Sequence, residues 1–511
     1  MQKRILHRAV VALLMATLSP LTLIAQATEP DGADEVAAFV IESVEFRITG
    51  RTRQWVLEDI LDLEPGRTFV DEEDLLGHLA RQQQILLNQR SLQEAEVEAT
   101  FDQPDGTGDA TASTDAPAAE GPQPVRIVVT TRDTWNVIVL PYARYDSNTG
   151  LLLSLRGRDY NFFGTLQELE VNFDYERTDK KKDLFTISSN FSIPFNMLER
   201  RWRLIFEQDL ELKADEFDLS LALGLGYDFE LLGLGWQAIY KQTFRYISDD
   251  KYEDTAFNTS SFSVGTRIGL PVYLPAFGQL SYAPSILTET SYRPGGMSDK
   301  RRGVILGFDH ALEAGGYDWV GNYRRGESLS VGNENRYNID KDEWDAAVTA
   351  RAAVYRALWQ PSSEVWPKAG VSAATSAFYL IDGADEVQEN AAEDARGILN
   401  DTMNGDLGVF LNLDAIVTVW TLRPIFEAQF GVFFDTALVR DLRGDFYGST
   451  AFDAERDLRF GSGIEVIGFP LFARSLYVRG SLGFDLREVA AGTSPLDGDA
   501  REIFIGLGHH Y

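Results

Sequence analysis

Five histidines, 78 carboxylates and no cysteine are what this chain of 511 residues offers for chemistry. None falls into a catalytic spacing. The sequence holds no Gly-x-Ser-x-Gly elbow, no His-Glu-x-x-His and no Gly-x-x-x-x-Gly-Lys-Ser/Thr loop. Without cysteine there is neither a disulfide framework nor a thiolate metal ligand. His509-His510 reads as an interfacial pair rather than a metal site. The carboxylates instead recur at every second residue: Glu168, Glu170, Asp174 and Glu176 alternate with Leu169, Val171, Phe173 and Tyr175. That spacing keeps one face of a strand wet and the other apolar. The chemistry is solvation of a wall; no catalytic pair, cofactor or metal is expected.

The same two-faced pattern fills residues 134–511. Leu219, Leu221, Leu223 and Leu225 alternate with Asp218, Ser220, Ala222 and Gly224. In the stretch 425–436, Phe426, Ala428, Phe430, Val432 and Phe434 share one face, leaving Glu427, Gln429 and Asp435 on the other. In 408–419, Val409, Leu411, Leu413, Ala415 and Val417 face one way and Asn412 and Asp414 the other. A soluble sandwich also alternates, but here no helix intervenes, which favours a closed membrane barrel. Aromatic content of 12% and 43 glycines suit interfacial girdles and tight strand packing. The reading predicts 16 antiparallel strands within a range of 14–18, because two of as many as 18 strand-like segments, around 302–357, read as bends or outlying hairpins. The final stretch, Arg501 to Tyr511, needs a partner strand, and closure onto the strand led by Trp135 supplies one. Pro141 cannot donate to a ladder, and Gly506 and Gly508 weaken side-chain pairing, so the seam between first and last strands is expected to be weak.

Lys3, Arg4 and Arg8 precede an apolar run to Ala25, and Ala25-Gln26-Ala27 closes it, which predicts a secretory signal over 1–27. The formal net charge is −31, and cleavage would remove three positive charges more, so nucleic acid is excluded as a partner. Residues 28–38 read as an acidic linker. Residues 39–133 read as strand, helix, helix, strand, strand, with Thr52 and Asp71 as caps and Leu75, Leu76, Leu79 and Leu86 on the buried side of the longer helix. The stretch 102–123 has almost nothing to bury and reads as a disordered hairpin tip.

Ile-x-x-Val-x-Phe-x-Ile-x-Gly from Ile41 to Gly50, with Leu63-x-Pro-Gly between the helices, resembles a POTRA domain, the periplasmic module of outer-membrane assembly proteins. The turn Asp159-Tyr160-Asn161-Phe162-Phe163-Gly164-Thr165, the Arg396-Gly397 pair on an acidic loop and the strands after it are similar to the BamA/TamA-like superfamily, the bacterial surface antigen family. The flanks Ala395 and Ile398 depart from that family, which favours an apolar residue before the Arg and an aromatic after the Gly.

The resemblance implies that the loop after the eleventh strand folds into the lumen and that Arg396 meets Asp414 and Asp435. The weak seam at Pro141, Gly506 and Gly508 is expected to open laterally, and the resemblance implies transport of unfolded polypeptide without ATP. The expected partners are outer-membrane lipids, a client received by strand addition to the POTRA sheet, and periplasmic or lipoprotein factors. A passive solute channel and an outer-membrane hydrolase are the competing classes.

Overall fold

The computed structural model describes residues 38–101, 122–146, 150–177, 183–198, 200–213, 216–248, 254–299, 301–359, 368–381, 394–398, 403–444, 447–472, 476–495, 497 and 500–507. The expected signal 1–27, most of the linker and of the 102–123 insert, and Gly508, His509, His510 and Tyr511 lie outside the described residues.

Alternation in the N-terminal region folds into a four-stranded sheet. Strands β1 (Phe39–Thr49), β2 (Thr68–Phe69), β3 (Leu92–Phe101) and β4 (Gln123–Asp133) are ordered β2-β1-β4-β3. β1 runs parallel to β4, and β3 antiparallel to it. Helices Gln54–Ile60 and Glu72–Asn88 cover one face, so that Ile41, Leu57, Leu75, Leu86, Ile127 and Val129 are shut from solvent. Each such side chain contributes about 1.5–3 kcal/mol, which is what holds so small a domain together. Asp71 caps the longer helix by accepting from the Asp74 amide. Leu76, expected on the buried side, is 49% exposed; His78 and Gln82 are buried instead. They pin the inter-helix turn, with His78 Nε2 2.7 Å from the Asp62 carbonyl and Gln82 Oε1 accepting from the Asp62 amide. Thr52 does not cap the short helix, whose N-cap is Arg53 without a side-chain bond. Its hydroxyl is taken by Asp133, at 2.6 Å.

The POTRA-like domain is followed by β5 (Val137–Asp146), β6 (Gly150–Asp159), β7 (Leu169–Arg177), β8 (Asp183–Met197), β9 (Arg200–Lys213), β10 (Phe217–Leu231) and β11 (Leu234–Ile247). Next come β12 (Ala256–Thr266), β13 (Ile268–Leu274), β14 (Gly278–Tyr292), β15 (Val304–Val320), β16 (Tyr323–Asn338), β17 (Glu343–Trp359) and β18 (Ala369–Ile381). The last five are β19 (Leu407–Leu422), β20 (Phe426–Arg440), β21 (Leu458–Pro470), β22 (Val478–Asp485) and β23 (Arg501–Leu507). They form a closed barrel in which β23 lies between β22 and β5. β12 and β13 both pair with β14 and are two halves of one strand bent at Arg267, so among the described residues the wall has 18 strands, the upper end of the expected 14–18 and two more than the 16 preferred. The number is even, which returns β23 to the end of the barrel where β5 begins.

The miscount has a local cause. β15, β16 and β17 are laddered along their length and belong to the wall. Yet His310, Asn333 and Asn335 share the outward face with Leu306, Val331 and Tyr337, which blurs the alternation. These outward polar groups satisfy one another: His310 Nε2 lies 3.0 Å from Asn333 Oδ1, and Asn333 Nδ2 donates to the Ala347 carbonyl. Elsewhere the outer face is apolar, with Leu221, Leu223, Leu225 and Ile286 exposed. No helix among the described residues is long and apolar enough to cross a membrane.

Candidate functional site: a loop tip in the lumen and a collar at the mouth

Between β18 and β19 the chain folds inward, and residues 394–398 press against the inner face of the wall. Ala395 and Ile398 are each 2% exposed and pack with Phe378, Met403, Phe410 and Ala437, so the departing flanks still find an apolar seat. Between them, Arg396 is 2% exposed, with its guanidinium 4.1 Å above the Phe433 ring. Its Nε and Nη2 donate to the two oxygens of Asp435, each at 2.8 Å, and its own amide donates to Asp435 Oδ2. Its Nη1 lies 2.6 Å from Asp414 Oδ1 and 3.4 Å from Glu465 Oε2. The bidentate fork fixes the direction of the guanidinium as well as its place.

Small residues make room for the tip. Gly397 turns at φ +78°, and a Cβ there would stand 2.8 Å from the Phe484 amide nitrogen. Across from it, a Cβ on Gly461 would stand 1.8 Å from the Arg396 carbonyl, and one on Gly483 would stand 2.6 Å from the Gly397 Cα.

The sequence reading singled out Arg396, Gly397, Asp414 and Asp435, and all four meet here. It did not single out Glu465, Arg479 or Glu502. Glu465 accepts from Arg479 Nε at 2.8 Å, and both are almost fully buried. Glu502 accepts from the Gly397 amide at 2.5 Å. The tip therefore engages every one of the five strands that follow it: β19 through Asp414, β20 through Asp435, β21 through Glu465, β22 through Arg479 by way of Glu465, and β23 through Glu502. The polar-face parity of Glu465 and Arg479 was available in the sequence; which strand stands beside which guanidinium was not. The loop leaves the thirteenth wall strand with five to follow. The expected place was after the eleventh of sixteen strands; among the described residues two further wall strands stand ahead of it.

The turn between β6 and β7 does something the sequence did not disclose. Asp159, Asn161, Gly164 and Thr165 form a collar into which the POTRA-like domain docks. Asn161 is fully buried; its Nδ2 donates to Thr52 Oγ1 at 2.8 Å and to Asp133 Oδ2 at 3.1 Å, while its Oδ1 accepts from the Leu166 amide. Asp159 takes Arg51 Nη2 at 3.0 Å, and the Gly164 carbonyl accepts from the Arg53 amide at 2.9 Å. Gly164, at φ +76°, lies so close that a Cβ would stand 2.0 Å from the Arg51 carbonyl. Thr165 closes the turn by donating to the Phe162 carbonyl. Tyr160 packs beside Ile138 and Leu476, and burial, with Glu168 nearby, pushes its hydroxyl up to about 12.

Further contacts complete the seat. Arg90 stacks 4.2 Å over Trp319 and donates to the Gly321 carbonyl and to Asn322 Oδ1. Asp59 pairs with Arg201, and Thr134 donates to the Phe472 carbonyl at 2.6 Å. At the seam, Trp135 is 67% exposed, Pro141 of β5 faces Leu155 of β6, and Gly506 of β23 faces Arg479 of β22. Among the described residues no group of three or more histidines and carboxylates is arranged to hold a metal ion.

No protein-family model and no curated protein matches the chain. Among solved structures the chain is similar to CdiB from Acinetobacter baumannii, with a TM-score of 0.48 and 11% identity over 88% of this chain and 70% of that one. It is similar to BamA from Haemophilus ducreyi lacking POTRA domains 1–3, with a TM-score of 0.40 and 10% identity over 92% and 85% of the two chains. CdiB from Escherichia coli gives 0.38 and 8% over 90% and 89%.

Proposed function

We propose that the protein lies in a bacterial outer membrane, its POTRA-like domain in the periplasm, and inserts or translocates unfolded polypeptide without nucleotide hydrolysis. The observation that carries this reading is an open sheet edge held at the mouth of a closed barrel. β3 ends the order β2-β1-β4-β3 and ladders with β4 alone among the described strands. Its far row of peptide groups suits an extended client, which binds by backbone pairing with little demand on sequence. Its Glu94, Glu96 and Glu98 point away from the core and favour clients carrying basic residues beside the paired segment.

Outer-membrane lipids cover the apolar outside of the wall, and periplasmic or lipoprotein factors are candidate partners at the domain. The bonds of Arg396, Gly397, Asp414 and Asp435 hold the lumen loop in one pose. The seam of β5 and β23 is where the wall opens: Pro141 has no N–H to contribute, and Gly506 has no side chain to pack. Trp135 anchors the entry to β5.

Reconstitution into liposomes tests the reading. An unfolded client barrel added outside gains protease protection with the full chain, and loses most of that gain when residues 39–133 are deleted while the wall remains folded. Equal protection with and without residues 39–133 would contradict it. The competing reading, a passive solute channel, is favoured by the 18-strand circumference, since barrels of that size enclose an aqueous lumen. Large, steady conductance in planar bilayers that survives deletion of residues 39–133 would select it.

A further inference from the structure

The loop tip holds four of its five strands in one way and the fifth in another. On β19 to β22 it relies on a guanidinium and carboxylates that are at most 8% exposed, with Arg479 drawn in through Glu465. On β23 the tip donates from a main-chain amide to the half-buried carboxylate of Glu502. β23 is also the strand that meets β5 at the seam, and two of its side chains, Ile503 and Ile505, face outward at 45% and 53% exposure. They add little to its hold on the interior.

We infer that Gly397 and Glu502 form a latch through which the lumen loop sets how firmly the closing strand is held, so that the seam is governed from inside the barrel. The inference rests on the proposed function for what the opening serves, but not for the latch itself. The amide can reach Glu502 because the chain turns at φ +78°, a conformation that glycine adopts without penalty. A bond to an ionised carboxylate is stronger than a neutral one. Releasing the Glu502 bond leaves the Arg396 bonds to Asp435 and its ion pair with Asp414 intact. Breaking it therefore loosens β23, still laddered to β22, while the tip grips the four strands before it, and the seam can open without the loop leaving the lumen.

Hydrogen–deuterium exchange on the full chain in lipid nanodiscs reads the latch directly, using Glu502→Ala and Glu502→Gln. The expected result for Glu502→Ala is a rise of about tenfold in the exchange of residues 501–507, the change that losing one charge-assisted bond makes, with residues 426–440 unchanged. Glu502→Gln keeps an acceptor oxygen and should fall between; it also serves if the alanine variant does not fold. Unchanged exchange in residues 501–507 would overturn the latch. So would an equal rise over β19 to β23, which would make Glu502 merely a support for the loop. The readout needs no client, so it separates from the functional reading. A latch in a protein that moves no client would sink the transport proposal alone, and transport with β23 unchanged would sink the latch alone.

Discussion

The lumen loop and the mouth collar are both built on hydrogen bonds to carboxylates, yet they differ in what remains when they part. If the loop withdraws, Asp414, Asp435 and Glu465 stay clustered on adjoining strands with one of their two guanidiniums gone. Like charges then crowd one another, and removing a partner from such a buried group costs about 3–5 kcal/mol. If the domain leaves the collar, Asp133 keeps its bonds from the Arg51 and Thr52 amides and from the Thr52 hydroxyl, because all of these belong to the domain. What breaks combines two neutral bonds, Asn161 to Thr52 and Arg53 to Gly164, with charged pairs whose arginines are exposed to water, Arg51 to Asp159 and Arg201 to Asp59. Water replaces such bonds at small net cost, about 0.5–1.5 kcal/mol each. The loop is thus the costlier of the two to withdraw from the wall, and the collar the joint that parts more easily.

Substitutions probe that contrast at both ends. Arg396→Ala should cause the largest loss, about 3–5 kcal/mol in the urea unfolding of the barrel in micelles, and Arg396→Lys should recover only part of it because a lysine cannot fork onto Asp435. Gly397→Ala should cost about 1–3 kcal/mol in the same measurement, from the positive φ and the clash with the Phe484 backbone. At the collar, Asn161→Ala should leave the unfolding of the wall nearly unchanged. It should weaken docking by about 1–2 kcal/mol, seen as a broader distance distribution between fluorophores on the domain and on the wall. Arg90→Ala should do the same more mildly, by about 1 kcal/mol, through loss of its stacking on Trp319. Collar variants that unfold the wall, or an Arg396 variant that only loosens the domain, would erase the distinction.

What the sequence discloses follows from range. Strand parity is local, so the outward face of β10 and the inward Asp414 and Asp435 can be read from neighbouring residues alone. The preferred count slips where parity slips, at His310, Asn333 and Asn335. Partner choice is not local. Asn161 finds Thr52 at a separation of 109 residues, and Gly397 finds Glu502 at 105. A composition that spells a tight turn says nothing of the domain seated on it. Thr52 shows the same limit: its hydroxyl suits a helix cap, but a carboxylate 81 residues away competes for it and wins.

The claim that the collar releases while the loop stays is best tested by tethering each in turn and measuring client insertion. The chain has no cysteine, so engineered pairs are unambiguous. One pair joins positions 53 and 163 across the collar; another, screened between 395–398 and β20, joins the loop tip to the wall. Oxidising the collar pair should stop insertion into liposomes and reduction should restore it, while oxidising the loop pair should leave insertion intact. Insertion that survives a locked collar and stops with a locked loop would contradict the account.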